Sequence, residues 1–506
     1  MTTHSCNTRL PRASAHAPGV DPAGMQAFLD DVHRRGIRMH SILVLRHGAV
    51  AYEGYWAPYG PDLPHALHSV TKGLVSTAFG LLAGEGRITA DTRVTPYFPD
   101  YAIPSGGNWE DLTVGHLLSM TCGHDHPYPF LDREDYQTAF FDHPLTDAPG
   151  THFCYTNLCF YTLCHLLHRI IGQNLQEYLQ EKLFTPMGIH SFSCGTSPTG
   201  ISHGASLGFL STEDMAKVGL LYLQQGRWNG KQLLPAGWIR QASAIQIADT
   251  HDCDFDDAPD GRYGYGFALW RCRVKNAYRF YGIFGQHILV LPDQDAVVVT
   301  TGGHARSDEI LQCVWEHLLP AMTDAPAAPA AYEAVCRRLA SLQIPLCTRT
   351  VDSPAAARCA GQQIVFAENR CSLLPAWLMA NRAHPRAAAA YTGLHSCALA
   401  FSGPELTLTL REGQLEQQWT IPLGGTLTEL TYRTPAGTYS VAACAGWTGP
   451  DTLRVDMLYL NFAQHAWLEF VLRDEDVQLR LHELPAAPEY GTSGLRELTG
   501  TWQTIP

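Results

Sequence analysis

The sequence predicts two folded bodies: an α+β domain in which helices flank an antiparallel sheet, and behind it a separate β-rich domain. Three observations carry this. The chain has 506 residues, beyond the roughly 250 to 300 at which one hydrophobic core stops growing. Up to about residue 320, helical and strand periodicities are mixed, with strands at both ends of the stretch. Beyond about residue 330, apolar and polar residues alternate with period two, as in Leu406-Thr407-Leu408-Thr409-Leu410 and Leu453-Arg454-Val455-Asp456-Met457, which is the pattern of half-buried strands.

Taken in order, residues 1–20 form a polar leader. Asp21-Pro22 then opens a helix with Met25, Phe28, Leu29 and Val32 on one side, ending near Gly36. Ser41–Arg46 and Ala49–Tyr55 read as strands, and the two residues between them, His47-Gly48, suit a tight hairpin. Val70, Leu74, Val75, Ala78, Leu81 and Leu82 have helical spacing, stopped by Gly84 and Gly86. Shorter helices are expected over Thr113–Met120, Phe160–Ile171 with Gly172 closing it, and Thr212–Gly226. Gly264–Trp270, Ile288–Leu291 and Ala296–Thr301 read as strands. The first domain spans residues 21–320, the Ala- and Pro-rich stretch 321–331 reads as a linker or a helix edge, and the β-rich accessory domain spans 332–506.

Composition excludes several classes of protein. Hydrophobic residues at 45% and charged residues at 16% supply sizeable cores and too little charge for general disorder. Lys+Arg 35 against Asp+Glu 48 gives a net charge of −13, which repels nucleic acid and acidic lipid. No run of about 18 apolar residues and no signal-peptide pattern occurs, so a cytoplasmic protein without a membrane anchor is expected. The 15 cysteines lack zinc-ligand spacing and read as reduced core residues, so no metal site is expected. The lysines are few, Lys72, Lys182, Lys217, Lys231 and Lys275.

Ser69-Val70-Thr71-Lys72 opens the second predicted helix. Residues i and i+3 share a helix face, so the lysine amine can reach the serine hydroxyl and, when neutral, take its proton. Burial or nearby positive charge must depress that amine for it to work near neutrality, and the positive end of the helix favours developing negative charge. A capping serine beside a surface lysine would give the same letters. Tyr155-Thr156-Asn157 follows the turn at Pro149-Gly150. Such a phenol can relay a proton between nucleophile and leaving group, and such an amide can donate to a substrate carbonyl; a core tyrosine with a capping asparagine reads identically. Tyr459-Leu460-Asn461 repeats the pattern within the β-rich third.

In this order, Ser69-x-x-Lys72, then Tyr155-x-Asn157, then a late strand, the chain resembles the serine hydrolases of the class C β-lactamase and penicillin-binding-protein superfamily. Leu117-Leu118-Ser119-Met120-Thr121-Cys122-Gly123 and Gly208-Phe209-Leu210-Ser211-Thr212 add to the likeness, which covers roughly residues 20 to 320. The resemblance implies a β-lactamase-like sandwich of helices around an antiparallel sheet, with the Ser69 helix buried at its centre. It implies Ser69 as the acylated nucleophile, Lys72 as its proton partner, Tyr155 as second general base and Asn157 as donor to the substrate carbonyl. The Ser69 amide would supply half of an oxyanion hole. No metal or organic cofactor is implied.

The third family element departs from the pattern. Relatives carry Lys-Thr-Gly or His-x-Gly there, and this chain has Phe280-Tyr281-Gly282-Ile283. Aligning on Gly282 makes Phe280 and Ile283 the substrate-binding positions, Ile283 through its backbone amide. The missing lysine helps relatives hold a carboxylate, so a carboxylic ester or small amide is the expected substrate. A D-amino-acid-specific peptidase, a weak β-lactamase, or a lapsed enzyme that only binds ligand are the alternatives. Strand alternation turns Arg279 away from the Phe280 face. His124-Asp125-His126 reads as a solvated loop, and Trp56, Tyr128, Tyr263 and Trp270 as core aromatics or the lining of an apolar cleft. A homo-oligomer is compatible with all of this.

Overall fold

The computed structural model describes residues 9–106, 108–251, 260–347, 349–369, 371–382, 393–435, 437–486 and 494–505. The chain folds as two compact units, Met1–Gly302 with Arg306–Leu342, and Gly303–Ala305 with Gln343–Pro506. Among the described residues no helix is long and apolar enough to cross a membrane.

In the first unit, six antiparallel strands stand in the order Ala49–Tyr55, Met39–Arg46, Ala296–Gly302, Gln286–Leu291, Tyr278–Gly282 and Trp270–Arg271. Strands from the two ends of the domain therefore meet, with Val44 opposite Val298 and Leu43 opposite Val299. Met39–Arg46, Gln286–Leu291 and Ala296–Gly302 are buried along their whole length, so they read as apolar runs and not as alternations. The His47-Gly48 hairpin has positive φ at both residues, 53° and 74°, the geometry that matches strand twist.

Helix Val70–Gly84 is buried continuously from Val70 to Leu82, as expected for a helix apolar on every face. Two glycines allow its neighbours in. A Cβ on Gly73 would lie 2.0 Å from Phe280 Cδ1, and one on Gly80 would lie 2.4 Å from Trp238 Cδ1. Gly84, expected to stop this helix, is its last residue; the chain turns at Gly86, with φ 73°. Helix Thr212–Leu223 packs on the sheet where Gly219 faces Val297 and Ile288.

Two expectations need correction. Gly264–Trp270 is not a strand: Tyr265 bridges to Trp270, Gly264 has φ 93° and Ala268 φ 64°, so the segment doubles back as a tight turn before the short strand Trp270–Arg271. The Ala- and Pro-rich stretch 321–331 does not separate the units. Its end starts helix Pro329–Ala340, whose Val335 and Leu339 are buried and whose Tyr332 hydroxyl donates to Ala51 O at 3.1 Å; the apolar spacing outweighs the composition. The polar leader, where described, covers a sheet edge, Arg12 bridging to Val50 and Leu10 N donating to Glu213. A strand edge left bare invites pairing with another chain.

The second unit is one antiparallel sheet of ten strands. Their order is Leu415–Pro422, Glu405–Glu412, Leu394–Ser402, Gln362–Phe366, Leu495–Thr504, Asp476–Leu484, His465–Leu472, Thr452–Tyr459, Gly437–Trp447 and Thr428–Thr434. The two outermost strands approach each other through side chains. Gln417 donates to Arg433 O at 3.2 Å and accepts from Arg433 N at 3.1 Å, and Trp419 Nε1 donates to Thr431 O at 3.3 Å. The sheet thereby curls nearly into a barrel. Asp456, fully buried, is held by Arg349, Arg454 and His465, so its charge is not left unpaired.

Candidate active site

Ser69 occupies the N-cap of the buried helix with helical angles, and its side chain makes no capping hydrogen bond. The residue before it, His68, has φ 48°, a conformation L-residues adopt at a cost. Lys72 Nζ stands 2.9 Å from Ser69 Oγ and donates to Ala205 O at 2.8 Å. The reading of a capping serine with a surface lysine does not hold, because Lys72 is only 1% exposed. Burial lowers its pKa to about 7, since a desolvated ammonium is disfavoured. With the proton gone, the nitrogen keeps a donor for Ala205 O and offers its lone pair to the serine O–H.

Ala205 is a member of the site that sequence reasoning missed, and it acts through its carbonyl. The available signal was Gly204, whose φ is 67° and whose Cβ would lie 2.3 Å from Cys164 Sγ. Only glycine brings the chain that close. Thr71 ties the same segment down, donating to His68 O at 2.7 Å and accepting from Gly208 N at 3.1 Å.

Tyr155 is half-buried, with its ring centroid 4.9 Å from Lys72 Nζ. Lys72 and Tyr155, 83 positions apart in the chain, are thus brought side by side. Asn157 is the first residue of helix Asn157–Ile171, just past the Thr156 cap, and is half-buried. Trp270 lies against Tyr155, ring centroids 5.9 Å apart at 29°, and Tyr265 meets Trp270 edge-on at 4.8 Å. Trp270 and Tyr265 are 3% and 1% exposed, so they back the tyrosine and do not line an open cleft. Trp56 is likewise core, while Tyr263 is exposed.

Phe280 is fully buried between Gly73 and the ring of Tyr222, and its side chain offers no surface to a substrate. Burial also places it on the strand that flanks the serine. Gly282 lies against the backbone just before Ser69, where a Cβ would be 2.3 Å from Leu67 O. Ile283 follows, half-buried, its carbonyl accepting from Gln286 Nε2 at 2.8 Å. Arg279 points to the opposite face from Phe280, as strand alternation requires. It is 1% exposed and donates to Asp260 O and Arg271 O, each at 3.1 Å.

The His124-Asp125-His126 loop is not wholly solvated. His124 is fully buried among Trp109, Tyr128 and Phe140, while Asp125 and His126 pair on the surface at 2.8 Å. Apolar ring packing at Trp109 and Phe140 competes with hydration there. Among the described residues, one trio has ligand atoms close enough to share a metal ion, Asp31, Glu316 and His317. The Asp31 carboxylate is already engaged by Arg34 and Arg35, cations that oppose a metal. The cysteines described are free thiols, most of them buried.

Helices packed on a six-stranded antiparallel sheet, with a serine and a lysine on one turn of the central helix, define a serine-hydrolase-type enzyme of the β-lactamase and penicillin-binding-protein superfamily. The chain belongs to the beta-lactamase family, whose profile matches residues 25–307. It is similar to the 6-aminohexanoate-dimer hydrolase of Paenarthrobacter ureafaciens, 27% identical over 51% of this chain and 71% of that protein. It is also similar to penicillin-binding protein 4 of Amycolatopsis lactamdurans, 26% identical over 35% of this chain and 45% of that one. Among solved structures, a putative 6-aminohexanoate-dimer hydrolase from Bacillus anthracis covers 62% of this chain and 87% of its own, at 22% identity and a TM-score of 0.48. Family membership carries a serine-hydrolase-type reaction on small substrates.

Proposed function

We propose that the protein hydrolyses a carboxylic ester or small amide through an acyl intermediate on Ser69. The observation that carries the reading is the buried Lys72 amine, 2.9 Å from the Ser69 hydroxyl and held near neutral by desolvation. Lys72 takes the serine proton as Oγ attacks the substrate carbonyl, and returns one to the leaving group. Tyr155, beside Lys72, shares that proton traffic and activates the water that attacks the acyl carbon. The amides of Ser69 and Ile283 receive the oxyanion, at the positive end of a buried helix. Asn157 donates to the substrate carbonyl.

The substrate is uncharged where relatives bind a carboxylate. Phe280 replaces the lysine and is buried, and Arg279 is spent on backbone carbonyls behind Trp270. This favours an ester or neutral amide over a β-lactam or a D-amino-acid peptide. The likeness to a hydrolase of a 6-aminohexanoate dimer favours an amide among the candidates. The reading of a lapsed, ligand-binding protein is disfavoured by Lys72, because a buried amine poised on a serine destabilises a fold that makes no use of it.

Incubation with a fluorophosphonate and measurement of intact mass tests the proposal. One adduct on the wild type, lost in Ser69→Ala, is expected. A panel of acyl esters, simple amides, D-amino amides and a chromogenic β-lactam then ranks the substrates. No adduct on folded wild type overturns the proposal in favour of a ligand-binding protein.

A further inference from the structure

Behind Tyr155 the aromatic rings form a series that ends on a buried cation. Trp270 lies between Tyr155 and Arg279: its ring is 5.9 Å from the tyrosine ring and its centroid 6.0 Å from the guanidinium carbon. Trp270 and Arg279 are also direct partners in the strand register. The same guanidinium lies 5.5 Å from the ring of Tyr281, and it donates to the carbonyls of Asp260 and Arg271. Arg271 is the residue next to Trp270. The carboxylates of Asp260 and Asp308 face the charge.

A buried cation is costly to desolvate, so a packing role alone would be filled better by an apolar side chain. Arginine differs from lysine here in being planar, able to bind two carbonyls at once while stacking on aromatic faces. At 1% exposure it cannot serve a substrate carboxylate. What it does reach is the indole that lies against Tyr155. The Lys72 amine also lies 4.9 Å from the Tyr155 ring centroid, and the tyrosine sits in the loop ahead of its helix, where the backbone alone fixes a ring poorly.

We infer that Arg279 and Trp270 are positioning residues for Tyr155: the guanidinium orients the indole, and the indole holds the tyrosine ring against the Lys72–Ser69 pair. The inference rests on the proposed role of Tyr155 in acyl transfer. A displacement near 1 Å of a proton-transferring group costs rates, not binding.

The test compares wild type with Trp270→Phe, Trp270→Leu, Arg279→Lys and Arg279→Met. The readouts are fluorophosphonate labelling of Ser69, kcat and KM on a small p-nitrophenyl ester, the pH–rate profile, and the thermal midpoint. In Trp270→Leu and Arg279→Met, kcat is expected to fall about tenfold or more while KM stays within about twofold. Trp270→Phe restores most of the rate, and Arg279→Lys, keeping charge but not the planar fork, restores part. The pH–rate profile shifts in Trp270→Leu and not in Trp270→Phe. Should Arg279→Met fail to fold, the Trp270 variants, which remove no charge, decide the matter. Wild-type kcat in folded Trp270→Leu, or a loss confined to KM, overturns the inference. Absence of labelling on the wild type overturns instead the reading of Ser69 and Tyr155, so the two failures are distinct.

Discussion

Lys72 and Ser69 stand one helical turn apart, with the amine nitrogen 2.9 Å from the hydroxyl oxygen and the lysine side chain closed off from water. In the proposed acyl transfer, the pairing ties reactivity to the protonation of one buried amine.

That amine, held at about 7 by burial, must be neutral to accept a proton, so Ser69 acylation rises as pH climbs through about 7 and levels off above it. Stability follows the same group. In the unfolded chain the lysine keeps its proton to its ordinary value of 10.5. Between the two values the unfolded chain binds the proton and the folded one does not, so this group adds stability as pH rises across the window. Below about 7 both states hold the proton, and the cost of burying it is fully present. Lys72→Met is therefore inactive, yet its thermal midpoint exceeds that of wild type most near pH 6, and the gap narrows toward pH 10. Calorimetry of both proteins across that range checks this; a gap independent of pH contradicts it.

Gly73 and Phe280 fit because one has no side chain. Gly73→Ala would place a methyl 2.0 Å from Phe280 Cδ1. The overpacking costs about 1–3 kcal/mol, against which alanine returns about 1 kcal/mol of helix propensity. Adding Phe280→Leu frees the space, so the double variant loses less stability than the sum of the two single ones. Urea midpoints of the four proteins measure this, and strictly additive losses would sink the contact as described.

Gln417 stands in for a missing backbone ladder between the outer strands of the second unit. Its amide both donates to and accepts from Arg433. Gln417→Ala is expected to cost about 1 kcal/mol, as partly exposed hydrogen bonds do. It also speeds hydrogen exchange at the Arg433 amide, leaving exchange along the paired strand Gly437–Trp447 unchanged. An unchanged Arg433 amide would show that the strands are closed by other contacts.

Much of this was legible because it is local. The helix with Ser69 and Lys72, the His47-Gly48 hairpin and the cap at Gly172 each depend on residues within one or two turns of one another. The errors arose where distant residues decide. Composition marked 321–331 as a linker, but Val335 and Leu339 find a buried seat on the first unit. Alternation marked Gly264–Trp270 as a strand, but positive φ at Gly264 and Ala268 turns it back on itself. His124 lies among polar neighbours in sequence and among aromatic rings in space. Phe280 stood in a motif that serves the cleft in relatives, while Gly73, over 200 residues earlier, leaves a slot that only a buried ring fills.

By itself the sequence determined which groups share a helical turn, because the 3.6-residue period places Lys72 over Ser69 whatever surrounds them. It also placed strands at both ends of the first domain, through their apolar runs; that they pair is seen in the sheet itself. Only the tertiary structure decided that Lys72 is dry, that Tyr155 stands beside it, and that Arg279 lies buried behind Trp270. Those are matters of desolvation and packing, set by atoms that are far apart along the chain, and neither spacing nor composition encodes them.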